Sequence, residues 1–122
     1  MGVGWDIRLC GPVLVEANGN RLDAGLPGRQ GRLLFAYLVL NRNRGCPRDE
    51  LIDVLWPEGP PAAAESALSA LLSKLRRALG PGVLTGRSEL RLHFEGPVRV
   101  DVEEAAAAIA EAEAAMETGD HA

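Results

Sequence analysis

The chain has 122 residues, 47% of them hydrophobic and only 4% aromatic, which suits one ordinary domain with a real core and at most a small appendage. Its net charge of -4 comes from two unlike parts: residues 1–100 hold all 13 basic residues against 10 acidic ones, a balance of +3, and residues 101–122 hold seven acidic residues and no basic one. No apolar run approaches the roughly 18 residues that read as a membrane span, and two cysteines exclude a disulfide-rich scaffold.

The first residues, Met1 to Asp6, lack the charged-then-apolar order of a secretory signal, so a cytoplasmic location is expected. Cys10 and Cys46 form no CxxC pair, and both are expected as reduced, packed thiols. In "WDIRLCG", Trp5, Ile7 and Leu9 alternate with Asp6 and Arg8, as in a half-buried strand. Gly11-Pro12 breaks it, "VLVEA" follows, and Asn18-Gly19 carries the two-residue hairpin signal because both positions tolerate positive φ. With "NRLDAG" returning, these segments predict a small antiparallel sheet.

A helix is expected from about Gly28 to Asn43, with Leu33, Leu34, Tyr37 and Leu38 inward and Leu40 a further candidate. A short helix from about Pro47 to Leu55 follows, with Asp49 and Glu50 near its positive end and Leu51, Ile52, Leu55 and Trp56 as its apolar face. "PEGPP" is a turn-rich connector, since proline cannot continue a helix there.

The third helix, about Ala62 to Leu79, is the informative one. On a wheel of about 100° per residue, Leu68, Leu71, Leu72, Leu75 and Leu79 form one stripe. Ser66, Ala70, Ser73 and Arg77 lie opposite it, with Ser69 and Arg76 on one flank and Lys74 on the other. Small residues let a helix sit deep against a surface, hydroxyls bond base edges or phosphates, and arginines form bidentate phosphate contacts. A solvated amphipathic helix with a basic C-terminus fits the same residues, since the helix dipole favours cations there. The segment "VLTGRSELRLHF" then reads as a hairpin turning at Gly86-Arg87-Ser88, with Leu90, Leu92 and Phe94 on one face and Glu89, Arg91 and His93 on the other. Val98 to Val100 is a candidate edge strand. Helix, turn, helix and wing in this order is a DNA-binding arrangement.

Residues 102–118 are nearly all alanine and glutamate, with Val102, Ile109 and Met116 forming a thin seam every seven residues. This helix is expected to add little to the stability of the first domain.

The segments "GLPGRQGRLLFAYLVLNRNR", "PRDELIDVLWPEGPPAAAESALSALLSKLRRALG" and "VDVEEA" resemble the OmpR/PhoB-type winged-helix domain that heads the Streptomyces antibiotic regulatory proteins. The resemblance covers residues 5 to 100 and implies an α+β fold: an N-terminal antiparallel sheet, three helices and a C-terminal hairpin wing. Residues 101–122 resemble the first helix of the bacterial transcriptional activation domain, a helical-repeat unit, that follows in the family. The resemblance implies binding to direct repeats in double-stranded promoter DNA, with the third helix in the major groove, the wing on the adjacent groove or backbone, and a dimer on DNA as a candidate state. On matching positions it implies that Ser66, Ser69, Ser73, Lys74, Arg76 and Arg77 contact DNA, with Arg87 and Arg91 on the wing. The loop Trp56, Pro57, Glu58, Gly59, Pro60, Pro61 matches a segment that can touch RNA polymerase in such activators. Two positions depart from the family pattern. Ala62-Ala63-Ala64-Glu65 brings an acid and no cation to the start of the third helix, and Glu89-Leu90 replaces a usual Gly-Tyr pair. They keep open a second reading, a winged-helix protein-interaction module with weak or lost DNA binding.

No catalytic residue, metal site or cofactor is expected. His93 and His121 have no ligand partners in sequence, Asp49, Glu50 and Asp53 sit among leucines, and Gly28-Arg29-Gln30-Gly31 lacks the continuation of a phosphate loop. No serine has a histidine and an acid placed to activate it.

Overall fold

A computed structural model describes residues 4–117. Strands β1 (Trp5–Arg8), β2 (Leu14–Ala17) and β3 (Asn20–Arg21) form the expected antiparallel meander. Its β2–β3 turn places Asn18 at φ 50° and Gly19 at φ 88°, the left-handed pair that a tight hairpin requires. A 3-10 turn (Asp23–Gly25) leads to α1 (Gly28–Leu40); β4 (Cys46–Pro47), α2 (Arg48–Leu55) and α3 (Ala64–Leu79) follow. The hairpin is β5 (Leu84–Thr85) and β6 (Glu89–Leu92), and β7 (Val98–Val100) passes directly into α4 (Asp101–Glu117).

Two small sheets hold the helices. The first has the order β3-β2-β1-β7, with β7 parallel to β1, so the candidate edge strand is real. The second has the order β4-β6-β5, because Cys46 and Pro47 pair with Leu90 and Glu89 of the hairpin. Sequence reading did not anticipate β4. It joins the entry of α2 to the wing, and the Arg48 N–H adds a bond to the Ser88 carbonyl at 3.2 Å.

Helix α1 ends three residues earlier than expected. Asn41 donates both its backbone N–H (3.1 Å) and its side-chain amide (2.9 Å) to the Tyr37 carbonyl, and Arg42 satisfies the Val39 carbonyl from its backbone and its guanidinium. The terminal carbonyls therefore need no further helical turn. Its buried face is also turned from the expected one. Leu34, Phe35, Leu38 and Val39 are buried, Tyr37 is half-buried, and Leu33 and Leu40 are exposed. The bulkier Phe35 takes the interior.

Cys46 is buried, as expected, but Cys10 is exposed. It sits beside the Gly11-Pro12 break, where the chain leaves the sheet at the surface. Phe94 folds back on Trp5, with ring centroids 4.7 Å apart and planes tilted by 56°.

The tail helix is tied to the domain at its first turn. Asp101 accepts the N–H groups of Leu9 (2.8 Å), Cys10 (3.1 Å) and Val102 (2.7 Å), so one carboxylate closes the end of β1 and caps α4. Arg42 grips Glu103 with two bonds of 2.8 Å. Among the described residues the seam is exposed at Val102 and Ile109, while the Met116 side chain and Thr118 lie outside what the structure describes. The described part of the seam makes no packing contact that would argue against a small contribution to stability, whereas the first turn is bonded to the domain. Asp101→Ala should lower the melting temperature, whereas Glu104→Ala should not, since Glu104 makes only an exposed 3.3 Å pair with Arg99. Equal melts for the two variants would show that the Asp101 clamp is dispensable.

Four carboxylates are held ionised. Arg21 keeps Asp23 far below the usual range, Arg42 lowers Glu103, and backbone donors led by Leu9 lower Asp101. Glu50 falls from its ordinary 4.5 to about 2, through hydrogen bonds from Arg44 and then from Tyr37. A depressed carboxylate contributes stability that is complete above its unfolded pKa and lost as pH falls through the folded one. Melting temperature should therefore fall between about pH 4.5 and 2, and Glu50→Gln should remove part of that dependence. A flat profile across that window would contradict these pairings.

Candidate nucleic-acid interface

The leucine stripe sets the orientation of α3. Leu68, Leu72, Leu75 and Leu79 are buried and Leu71 is half-buried. The helix packs against α1, α2, the 3-10 turn and β5, rather than chiefly against the N-terminal sheet. Burying that stripe leaves Ser66, Ser69, Ala70, Ser73, Lys74 and Arg77 exposed. The helix starts at Ala64, with 62–63 in the preceding turn, and Gly80 at φ 93° stops it. Trp56 caps α2 by donating its N–H to the Ile52 carbonyl at 2.9 Å, and residues 57–61 are exposed.

The wing is fixed to α3 at its turn. Arg76 is half-buried and donates to the Gly86 carbonyl at 2.7 Å, so this arginine supports the hairpin as well as bordering the exposed face. Arg87, next along, is exposed. Arg91 is exposed too, and its Nε donates to the Arg42 carbonyl at 3.0 Å, which ties the base of the wing to the end of α1. The eight expected contact residues thus lie on two neighbouring elements, with Arg91 directed partly to a structural bond.

Charge pairing separates these cations from five of the other eight basic residues, Arg8, Arg29 and Arg32 being unpaired as well among the described residues. Among the described residues, Arg21, Arg42, Arg44, Arg48 and Arg99 form ion pairs with Asp23, Glu103, Glu50, Glu65 and Glu104. Lys74, Arg76, Arg77, Arg87 and Arg91 form none. Cations left without internal acids on one face are a footprint for an anionic surface. One contributor escaped sequence reading: Arg48, at the start of α2, reaches across to Glu65 and Ser69 on the exposed side of α3. The signal was available in the odd acid at Glu65, which asks for a cation nearby.

A sheet, three helices and a hairpin wing, with a buried leucine stripe and an exposed serine–arginine face on the third helix, define a winged helix-turn-helix domain. No protein-family model matches the chain. It is 44% identical over 78 residues to regulatory protein AfsR of Streptomyces coelicolor, covering 64% of this chain and 8% of that protein. It is 39% identical over 75 residues to the transcriptional regulatory protein EmbR of Mycobacterium tuberculosis, covering 62% of this chain and 19% of that one. The solved structure of Mycobacterium tuberculosis EmbR in complex with a low affinity phosphopeptide matches with a TM-score of 0.60 and 33% identity, over 72% of this chain and 24% of that one. In its winged-helix portion the chain is similar to the DNA-binding domains of the Streptomyces antibiotic regulatory protein type. It spans less than a fifth of the length of these two curated relatives, a regulatory protein and a transcriptional regulatory protein. No helix among the described residues is long and apolar enough to cross a membrane.

Proposed function

We propose that the chain is the DNA-binding part of a bacterial transcriptional regulator acting in the cytoplasm on direct repeats in promoter DNA. Helix α3 enters the major groove with Ser66, Ser69 and Ser73 toward base edges, while Lys74, Arg76 and Arg77 meet phosphates along its length. Arg87, and the free part of Arg91, meet the backbone or adjacent groove from the wing. The observation that carries this reading is the clustering of unpaired charge: among the described residues the five α3 and wing cations have no acid partner, whereas five of the other eight basic residues do. In the same reading the exposed loop 57–61, after Trp56, faces RNA polymerase, two copies sit side by side on the repeats, and α4 begins a helical-repeat unit.

Binding to duplexes enriched from genomic DNA, measured at several salt concentrations, tests the reading. Wild type should bind with a steep salt dependence, and the Arg77→Ala/Arg87→Ala pair should weaken every duplex alike and lower the slope by about two. Arg76 is avoided because it also holds the wing turn. An unchanged slope, or no duplex binding at low salt, would favour the protein-interaction module instead.

A further inference from the structure

The first turn of α3 carries an acid where a DNA-facing helix would be expected to avoid one, and the structure gives that acid a specific setting. Glu65 and Ser69 are four residues apart, so they stand on the same side of α3 one turn from each other. Arg48 spans both. Its Nε donates to Glu65 Oε1 at 2.8 Å, and its Nη2 donates to Ser69 Oγ at 2.7 Å and to the Glu65 carbonyl at 3.3 Å. The Arg48 side chain is 24% exposed and that of Glu65 62%, so the cation is the less exposed partner of the pair.

Three consequences follow from this geometry. The guanidinium offsets the carboxylate charge, so Glu65 repels a phosphate-lined groove less than a lone acid would. Oε1 is occupied, while Oε2 has no hydrogen-bond partner among the described residues, and an ionised carboxylate can only accept. Ser69 Oγ accepts from Arg48, so its own proton is left to donate outward. The exposed first turn therefore presents an acceptor and, one turn on, a donor. In the major groove cytosine offers its N4 amino donor, and helix-turn-helix proteins read bases with the N-terminal residues of the recognition helix.

The geometry points to Glu65 as a base-reading residue that selects cytosine through its amino group, with Arg48 as its positioning residue; this rests on α3 occupying the major groove. Glu65 is then the source of sequence preference at its position.

Selection from a random duplex library with wild type, Glu65→Gln and Arg48→Ala tests it, with thermal melts and salt slopes recorded for each. Wild type should enrich a cytosine at one fixed position of the site. Glu65→Gln should lose about tenfold of that discrimination, and admit adenine, because an amide both donates and accepts. Arg48→Ala should broaden the same position with its salt slope retained, which loss of a phosphate contact would not do. Tighter binding of Glu65→Gln to every duplex with the cytosine intact would overturn the inference, leaving the acid as a repulsive group only. So would an Arg48→Ala slope lower by about one with an unchanged motif, the mark of a direct phosphate contact. A wild-type motif without the cytosine would overturn it while α3 in the groove still stood. Absence of all duplex binding by wild type would remove both.

Discussion

Truncation of Leu75 to alanine should lower the unfolding free energy by roughly 2–5 kcal/mol. Leu75 is fully buried in the middle of the leucine stripe, with Leu68 and Leu72 before it and Leu79 after it. Its helix packs on α1, α2, the 3-10 turn and β5, so a cavity in the buried stripe is bordered by several elements that cannot all close around it. Denaturant unfolding should show a lower midpoint with an unchanged slope. The contrast with Leu71→Ala is useful, because Leu71 is only half-buried and should cost less. Similar losses for the two would mean that the helix is rotated from the orientation that exposes Ser66, Ser73 and Arg77.

Gly86→Ala should open the wing. Gly86 has φ 100°, a conformation that costs a residue with a side chain about 1–3 kcal/mol. A Cβ there would also fall on the carbonyl oxygen of Glu89, which is backbone and cannot step aside. Relieving that overlap moves the turn, and with it the Gly86 carbonyl that Arg76 holds. Gly11→Ala is the control: its φ is 86°, but a Cβ there meets nothing within 4 Å. Hydrogen exchange at the His93 amide, bonded to the Val83 carbonyl at 2.7 Å, should speed up in Gly86→Ala and not in Gly11→Ala. Wild-type protection at His93 in the first variant would show that the turn absorbs the extra carbon.

The features legible in the sequence were those whose pattern repeats within a few residues. The α3 stripe needed only five leucines at helical spacing, and the β2–β3 hairpin needed only Asn18-Gly19. What escaped depended on neighbours distant in the chain. Whether α1 buries Leu33 or Phe35 is decided by the elements packed on it, and both choices fit a helical period. A two-residue strand such as β4 has no period at all, and exists because Leu90 arrives opposite Cys46. At the interface, the serines and arginines of α3 were legible from its own wheel. Arg48 was not, because its partners lie 17 and 21 residues away. Cys10 was expected to be packed from the habits of its residue type, and its place beside an exposed turn overruled that.

The pairing of β1 with β7 also constrains when the domain can be completed. Trp5 is opposite Val98 and Ile7 opposite Val100, so the first strand made meets one of its two neighbours only after nearly the whole domain has been synthesised. During translation β1 and β2 can form their hairpin early, while the other edge of β1 stays uncovered. An uncovered strand edge is a template for pairing with other chains. Closing so long a loop is slow compared with forming helices, so α1, α2 and α3 can assemble ahead of the sheet. A chain ending before Val98 would have the helices and the wing but an unsealed sheet, and the three residues Val98 to Val100 are what seals it.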